Sequence, residues 1–292
     1  MSINLNSELL KACSEGSIEK FILLLQQGAD VNAKDEEGNT ALTLACRDNF
    51  FEIVKLLLDK GADFNVADND GYTTLMFAAY NKGAAETVKL LLALGVDVNR
   101  VDKYGNTALM VACHGGAVEE VKLLLQHGVD VNMTSHSGDS ALMAACGNCS
   151  IEIVKFLLEY NVDINTVDKN GNTVLMYAAY NSHIEIIKLL LEQKNMDVNV
   201  VGEHGYTSLI CACGTGSVEI AKLLLDSGAD VNSITQDGNT ALKVAYQQRY
   251  PQLVELLLKS GVDTTGFNVG DLNSFISMVT KKNNIEIIIE KL

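Results

Sequence analysis

Residues 102–132 read DKYGNTALMVACHGGAVEEVKLLLQHGVDVN, and this segment decides the fold because the chain repeats it. The asparagine that ends the segment, Asn132, recurs at steps of 33 or 34 residues, at Asn32, Asn65, Asn99, Asn165, Asn199 and Asn232. The loop glycine, Gly105, recurs in phase at Gly38, Gly71, Gly138, Gly171, Gly205 and Gly238. Two markers that share one period indicate a repeat protein, in which each unit buries its apolar side against its neighbours.

Each repeat carries the signals of two short helices and a turn. In the repeat at 33–65, Thr40 is placed to cap a first helix, and a second apolar stripe runs from Ile53 to Leu58 at helical spacing. Gly61 follows that stripe and is suited to the left-handed conformation that ends a helix. Asn161, the residue next best suited to it, takes that place in a later repeat.

The repeat resembles that of the ankyrin-repeat family, which reads approximately D-x-x-G-x-T-P-L-x-x-A-A, a short break, then E-V-V-x-L-L-L-x-x-G-A-x-x-N. The matching residues of one repeat are Asp68, Gly71, Thr73, Leu75, Ala78 and Ala79, then Glu86, Val88, Leu90, Leu91, Leu92, Gly95 and Asn99. This resemblance implies an all-α repeat solenoid whose helix-turn-helix units are connected by β-turn or hairpin loops.

The period predicts one continuous solenoid with seven full repeats, at 33–65, 66–99, 100–132, 133–165, 166–199, 200–232 and 233–265. A truncated capping repeat is predicted at 1–32 and a degenerate closing one at 266–292, which leaves no segment for a separate catalytic domain. The ends of a stack need polar outer surfaces. We expect these from Glu8, Lys11, Glu15 and Lys20 at one end and from Lys281, Lys282, Glu286 and Glu290 at the other.

The chain departs from the family pattern at the start of each first helix. The histidine usual three residues after the capping Thr is replaced by Thr43, Met76, Met110, Met143, Met176, Ile210 and Lys243. We therefore expect the hydrogen bond of that histidine to be absent. Helix opening would then rely more on packing, with flexible methionine side chains filling the space.

Composition restricts the class of partner. The 292 residues are 48% apolar with a single Pro, which excludes disordered and collagen-like chains. The net charge of −15 and the lack of a basic patch argue against nucleic acid, whose phosphates are bound by Lys and Arg. No apolar run is long enough to cross a bilayer, and the amino terminus does not resemble a secretory signal. Seven cysteines, an odd number, suit a reducing compartment. These features predict a cytoplasmic protein without a membrane or nucleic-acid partner.

Recognition is expected where the repeats differ, beside each loop glycine and just after each first helix. The residues predicted to bind a partner are Tyr72, Tyr80, Tyr104, His114, His136, Tyr180, His204 and Tyr206. Tyrosine offers a large contact area at low entropic cost and is enriched at binding hot spots. In the alternative interpretation, Tyr80 and Tyr180 only cover their helices and the histidines are ordinary solvated residues. The compared positions hold seven acidic and three basic residues, which favours a partner of complementary positive charge.

No catalytic residue, metal site or cofactor is predicted. Cys146 and Cys149 have the spacing of half a zinc site, but no second pair follows at a suitable distance. Five cysteines occupy one equivalent place, which indicates packing, whereas Cys149 falls in a turn and is open to reaction. Cys113 and His114 are adjacent on a helix, so their side chains point about 100° apart and do not form a nucleophile and base pair.

The sequence thus predicts a non-catalytic scaffold, adaptor or inhibitor that binds a protein or peptide along its concave face. A regulatory subunit or host-directed effector that acts through a bound catalytic partner is the main alternative, and a thiol-based sensor is a third. The family resemblance also implies that the Val-Asn asparagines could be hydroxylated, although a structural role in the turn explains them more simply. The partner and the oligomeric state stay open.

Overall fold

The computed structural model describes residues 4–268, 270 and 272. This part of the chain holds sixteen α-helices and a 3₁₀ turn at Glu203–Gly205. Its only β-structure consists of isolated β-bridges. It forms two compact units, of which the first ends at Asp163 and the second begins at Ile164. The predicted closing repeat at 266–292 lies almost entirely outside the described residues, and so do Lys281, Lys282, Glu286 and Glu290.

In the first unit the helices come in pairs. They are α1 (Leu5–Ser14) and α2 (Ile18–Gln26), α3 (Ala41–Arg47) and α4 (Phe51–Asp59), α5 (Thr74–Tyr80) and α6 (Ala85–Ala93), α7 (Ala108–Gly115) and α8 (Val118–Gln126), α9 (Ala141–Gly147) and α10 (Ile151–Glu159). Helices α1, α3, α5, α7 and α9 pack side by side, and each also packs on its own pair partner. No helix among the described residues is long and apolar enough to cross a membrane.

The second unit repeats the same pairing. Its helices are α11 (Val174–Tyr180) and α12 (Ile184–Leu191), α13 (Ser208–Thr215) and α14 (Val218–Asp226), α15 (Ala241–Gln247) and α16 (Pro251–Lys259). In both units we call the first helix of each pair the inner helix and the second the outer helix. The inner helices α11, α13 and α15 are neighbours, and so are the outer helices α12, α14 and α16.

Hydroxyl caps start the inner helices, as the sequence predicts. The Thr40 hydroxyl accepts a bond from the Thr43 N–H at 3.3 Å, which satisfies one of the free amides of the first turn. The same cap starts α5, α7, α9, α11, α13 and α15, at Thr73, Thr107, Ser140, Thr173, Thr207 and Thr240. The predicted left-handed residues are also present, since φ is +83° at Gly61 and +56° at Asn161.

The hydrogen bond of the family's histidine was expected to be absent, but an equivalent bond is present at Thr43, so the expectation is wrong there. The Thr43 hydroxyl accepts the Thr40 backbone N–H at 2.8 Å, because a hydroxyl at this place can act as acceptor just as a ring nitrogen can. In the next repeat the Met76 sulfur lies 3.4 Å from the Thr73 nitrogen, so a thioether takes the same role weakly. The methionines are buried, as expected for side chains that fill space between helices, at Met76, Met110, Met143 and Met176.

Side-chain amides connect the loops of successive repeats. The Asn32 Oδ1 accepts the backbone N–H of Asp63 at 2.8 Å, and the Asp63 carboxylate in turn accepts the N–H of Asn65 at 2.9 Å. Asn99, Asn132, Asn165, Asn199 and Asn232 accept equivalent bonds from the next repeat. This arrangement gives the Val-Asn asparagines a structural role in holding neighbouring loops in register.

The amino-terminal end is less polar than expected. Lys20 pairs with Glu8 at 2.7 Å on that surface. However, Leu23 is 52% exposed, and Ile18 and Ile22 are exposed beside it on α2. Ile22 stands where the other outer helices carry a charged residue such as Lys55, so the end surface mixes charged and apolar side chains.

Candidate partner-binding grooves

The first unit brings three of the predicted tyrosines into one groove of about 600 Å³. This first groove is defined by Tyr72, Tyr80 and Tyr104 together with the carboxylates of Asp68, Asp70 and Asp102. Tyr80 is the last residue of α5, whereas Tyr72 and Tyr104 lie in the loops that precede α5 and α7. The sequence could place these residues on a common face, but only packing shows that they meet.

Backbone hydrogen bonds fix the two loop tyrosines. The Asp68 Oδ1 accepts the N–H of Tyr72 at 2.8 Å, and the Asp102 Oδ1 accepts the N–H of Tyr104 at 2.8 Å. A carboxylate that bonds backbone amides two and four residues later forms a compact turn, and it aims the intervening side chains outward. Tyr104 is 57% exposed as a result.

Aromatic contacts form one wall of the first groove. The Tyr72 ring meets the Phe77 ring edge to face, with centroids 4.6 Å apart. Burial, helped by the nearby Asp102, raises the pKa of Tyr72 above its ordinary value, so its hydroxyl stays neutral at physiological pH. Asn81, just after α5, donates its side-chain amide to the carbonyls of Arg47 (2.7 Å) and Phe77 (3.1 Å), which holds the ends of α3 and α5 together.

The first groove is acidic, and two of its residues, Asp70 and Tyr104, already contact the ammonium of Lys103. Three carboxylates line it against one guanidinium, that of Arg47, which is paired with Asp48 at 3.3 Å. The Lys103 ammonium pairs with Asp70 and lies 4.9 Å from the centroid of the Tyr104 ring. Both contacts show that the surface of this groove favours positive charge.

The second unit has a groove of different chemistry, of about 820 Å³. This second groove is defined by Tyr180, His204 and Tyr206, three further predicted residues. Tyr180 ends α11 and is 69% exposed. The remaining lining includes the carboxylate of Glu203, the apolar side chains of Ile210 and Val244, and five side-chain amides, at Asn170, Asn172, Asn239, Gln247 and Gln248. Amides offer both donors and acceptors without net charge, a combination that suits a peptide backbone or polar side chains.

His204 has a strained backbone. Its φ is +59° within the 3₁₀ turn at Glu203–Gly205, a left-handed conformation that costs a non-glycine residue about 1 kcal/mol or more. Its ring lies near side chains of the next loop and of its own turn, with Nδ1 3.3 Å from the Gln236 Oε1 and Nε2 3.8 Å from the Glu203 Oε1. The loop thus presents an exposed imidazole on the rim of the second groove.

The remaining two predicted residues do not line either groove. His114 is exposed at the end of α7, where its carbonyl accepts the Asn148 side-chain amide at 3.0 Å. His136 is also exposed, and its backbone N–H donates to the Tyr104 carbonyl at 2.7 Å. A role for these two side chains in binding stays a prediction.

Sequence reasoning missed several lining residues. Asp68 matches the family pattern and Asp102 takes the equivalent loop place, so variation between repeats selects neither of them, while Phe77 and Cys211 lie inside helices. Phe77 precedes Tyr80 by three residues and therefore shares its helix face, a signal that was available in the sequence.

The cysteines follow the predicted division. Cys13, Cys46, Cys113, Cys146 and Cys213 are buried, whereas Cys149 is exposed in its turn. Burial raises the pKa of Cys13 and of Cys46 to about 12, so both thiols are protonated at neutral pH. Among the residues that the structure describes, no three His, Cys, Asp or Glu side chains are grouped to hold a metal ion.

A family model described as ankyrin repeats (3 copies) matches residues 9–102, 75–168, 109–202, 160–235 and 199–268. The chain belongs to the ankyrin-repeat family. The predicted all-α repeat solenoid is therefore confirmed, and ankyrin repeats generally mediate protein–protein interaction rather than catalysis. A comparison with curated proteins finds no match, so the family is assigned without a specific member.

Proposed function

We propose that this ankyrin-repeat protein is a non-catalytic scaffold, adaptor or inhibitor that binds a protein partner through the two grooves. One observation carries the proposal: six of the eight residues selected from repeat-to-repeat variation gather in two grooves, three in each. Residues with a common binding role are expected to lie together in this way.

The exposure of these side chains supports the same conclusion. Tyr80, Tyr104, Tyr180 and Tyr206 are all exposed, although each tyrosine carries a large apolar ring. Their rings would lose contact with water on docking, and a contact of about 800 Å² per partner is usual for a specific complex. The proposed binding face consists of the loop tips and the ends of the inner helices. We propose that the chain carries seven full repeats with the predicted boundaries.

The experiment that tests the proposal is partner capture from the native cell with paired variants. Tyr80→Ala with Tyr104→Ala removes two rings from the first groove, and Tyr180→Ala with Tyr206→Ala removes two from the second. The matched control is Tyr160→Ala, because Tyr160 is an exposed tyrosine just after α10 that lines neither groove. We expect the paired variants to lose the partner and the control to retain it.

The circular dichroism and melting temperature of each variant must match the wild type before capture is compared. Retention of the same partner by both well-folded paired variants would contradict the proposal. Capture of an enzyme whose activity changes on binding would favour the regulatory subunit or effector over a passive scaffold.

A further inference from the structure

The carboxylate of Asp68 differs from its counterparts in other repeats. In three repeats the loop aspartate uses Oδ1 for backbone amides, while Oδ2 accepts the side-chain amide of an asparagine four residues later. These pairs are Asp35 with Asn39, Asp102 with Asn106 and Asp168 with Asn172, at 2.9–3.0 Å. Each of those aspartates therefore has both carboxylate oxygens occupied by donors from the chain.

At Asp68 both of the possible side-chain donors have been replaced. The residue four positions later is Tyr72 instead of asparagine. In the repeat of Asp168, the hydroxyl of Tyr177 adds a second bond to Oδ2 at 2.8 Å, but the equivalent of Tyr177 beside Asp68 is Phe77, which has no hydroxyl. The Asp68 Oδ1 still accepts two backbone amides, at 2.8 and 2.9 Å. Within the described part of the chain, no donor reaches its Oδ2.

The two replacements that free this oxygen also build the aromatic wall of the first groove. Tyr72 and Phe77 are the rings in edge-to-face contact, and Tyr80 lies one helical turn beyond Phe77. Asp68 lines the same groove. An acceptor with spare capacity next to flat aromatic faces matches a guanidinium, which is planar, carries five N–H donors and stacks on rings.

We propose that the first groove binds the arginine side chain of a partner, with the guanidinium donating to the Asp68 Oδ2 and stacking against the tyrosines. Charge complementarity supports this occupant: three carboxylates line the groove, Arg47 is already paired with Asp48, and of the three only Asp70 is in an ion pair within the described residues, with Lys103. The Lys103 ammonium beside Tyr104 and Asp70 shows that a cation is stable at the rim. This inference rests on the proposed function and names the chemistry that the first groove recognises.

The test uses the full chain and three short probes: acetyl-Gly-Arg-Gly-amide, the same peptide with citrulline, and the same peptide with lysine. Citrulline has the shape of arginine without the charge. Binding is followed by NMR of the tyrosine rings, whose nine signals are assigned by Tyr→Phe variants. We expect the arginine peptide to shift the signals of Tyr80 and Tyr104 and to leave that of Tyr160 unchanged.

The sharpest variant is Tyr72→Asn with Phe77→Tyr, because it rebuilds beside Asp68 the arrangement that the chain itself uses at Asp168. The Oδ2 would then accept donors from the chain and the Tyr72 ring would be lost from the wall, so arginine binding should weaken at least about tenfold, the value of one charge-assisted hydrogen bond. Asp68→Asn gives a second test if the double variant does not fold, since its amide oxygen can still accept the two backbone bonds. The control Asn172→Ala lies in the second groove and should leave arginine binding unchanged.

Equal binding of the citrulline or the lysine peptide, or unchanged binding to the double variant and to Asp68→Asn, would overturn the assignment of a guanidinium. If the arginine peptide does not bind while partner capture still depends on Tyr80 and Tyr104, this inference fails and the proposed function stands. If the arginine peptide does not bind and partner capture does not depend on Tyr80 and Tyr104, the first groove has no part in the function.

Discussion

Replacing Glu120 with isoleucine should stabilise the protein. Glu120 lies in α8 and is only 1% exposed, yet its Oε1 has no hydrogen-bond partner among the described residues. The same place in other outer helices holds a buried apolar residue, at Ile53, Ile153, Ile186, Ile220 and Leu253. The backbone of the repeat therefore accepts a branched apolar side chain at this place without rearrangement.

The expected gain is about 2 kcal/mol in the free energy of unfolding. An unsatisfied buried polar group costs about 1–3 kcal/mol, and the apolar side chain that replaces it contributes up to about 2 kcal/mol more. The neighbouring helix α6 carries Thr87 at the equivalent place. Its hydroxyl is also buried without a partner in the described structure. Thr87→Val should add about 1 kcal/mol by the same mechanism.

The assay is urea unfolding followed by both circular dichroism and tyrosine fluorescence, because repeat proteins do not always unfold in a single step. Glu119→Ile is the matched control, since Glu119 is the adjacent residue but is exposed and paired with Lys122 at 2.7 Å. The control should change stability by no more than about 0.5 kcal/mol. If Glu120→Ile unfolds at the same or a lower urea concentration than the wild type, the buried carboxyl has a partner in solution and the reasoning is refuted.

Three further predictions concern capping, pH and thiol chemistry. Thr43→Val should cost about 1–2 kcal/mol, because it leaves the buried N–H of Thr40 without its acceptor; Lys243→Val, at the equivalent place in α15, should be neutral when both are compared by urea unfolding. Burial would raise the pKa of Asp168, but hydrogen bonds led by the Asn172 N–H outweigh it and hold that pKa below its ordinary value of 3.8. The stability that Asp168 contributes is therefore fully present above pH 3.8 and lost as the pH falls through the lowered value, so the disadvantage of Asp168→Asn at pH 7 should shrink towards pH 2; a constant difference would contradict this. Iodoacetamide should modify Cys149 before any other described cysteine of the native chain, as read by peptide mass spectrometry, and equally fast labelling of a buried thiol would exclude the burial assigned here.

The sequence was sufficient for local structure because local structure in a repeat depends on short-range rules. The cap at Thr40, the helix ends at Gly61 and Asn161, and the buried methionines follow from residue type and spacing, and seven copies remove most of the ambiguity of a single segment. The prediction failed where one residue type replaced another in the same role. The Thr43 hydroxyl accepts the N–H of Thr40, a bond that the absence of histidine had been expected to remove.

The candidate site was predictable only as a set of variable positions. Variation between repeats selected the tyrosines, because a shared scaffold has no reason to vary at structural places. It did not show that Tyr72, Tyr80 and Tyr104 share one groove with Asp68, since that depends on how the loop before α7 packs beside the end of α5. Variation between repeats also did not select Phe77, because its role depends on the Tyr72 ring, whose centroid lies 4.6 Å from its own.

The sequence by itself determined the repeat, its helices and the family, because hydrophobic period, capping and turn preferences act within a few residues of each other. Only the tertiary structure decided which side chains meet and which polar atoms are left without a partner. Asp68 and Asp168 occupy the same place in the sequence pattern, yet among the described residues no donor reaches the Asp68 Oδ2, whereas both carboxylate oxygens of Asp168 accept donors. That difference arises from neighbours four and nine residues away, whose contacts exist only once the chain has folded around them.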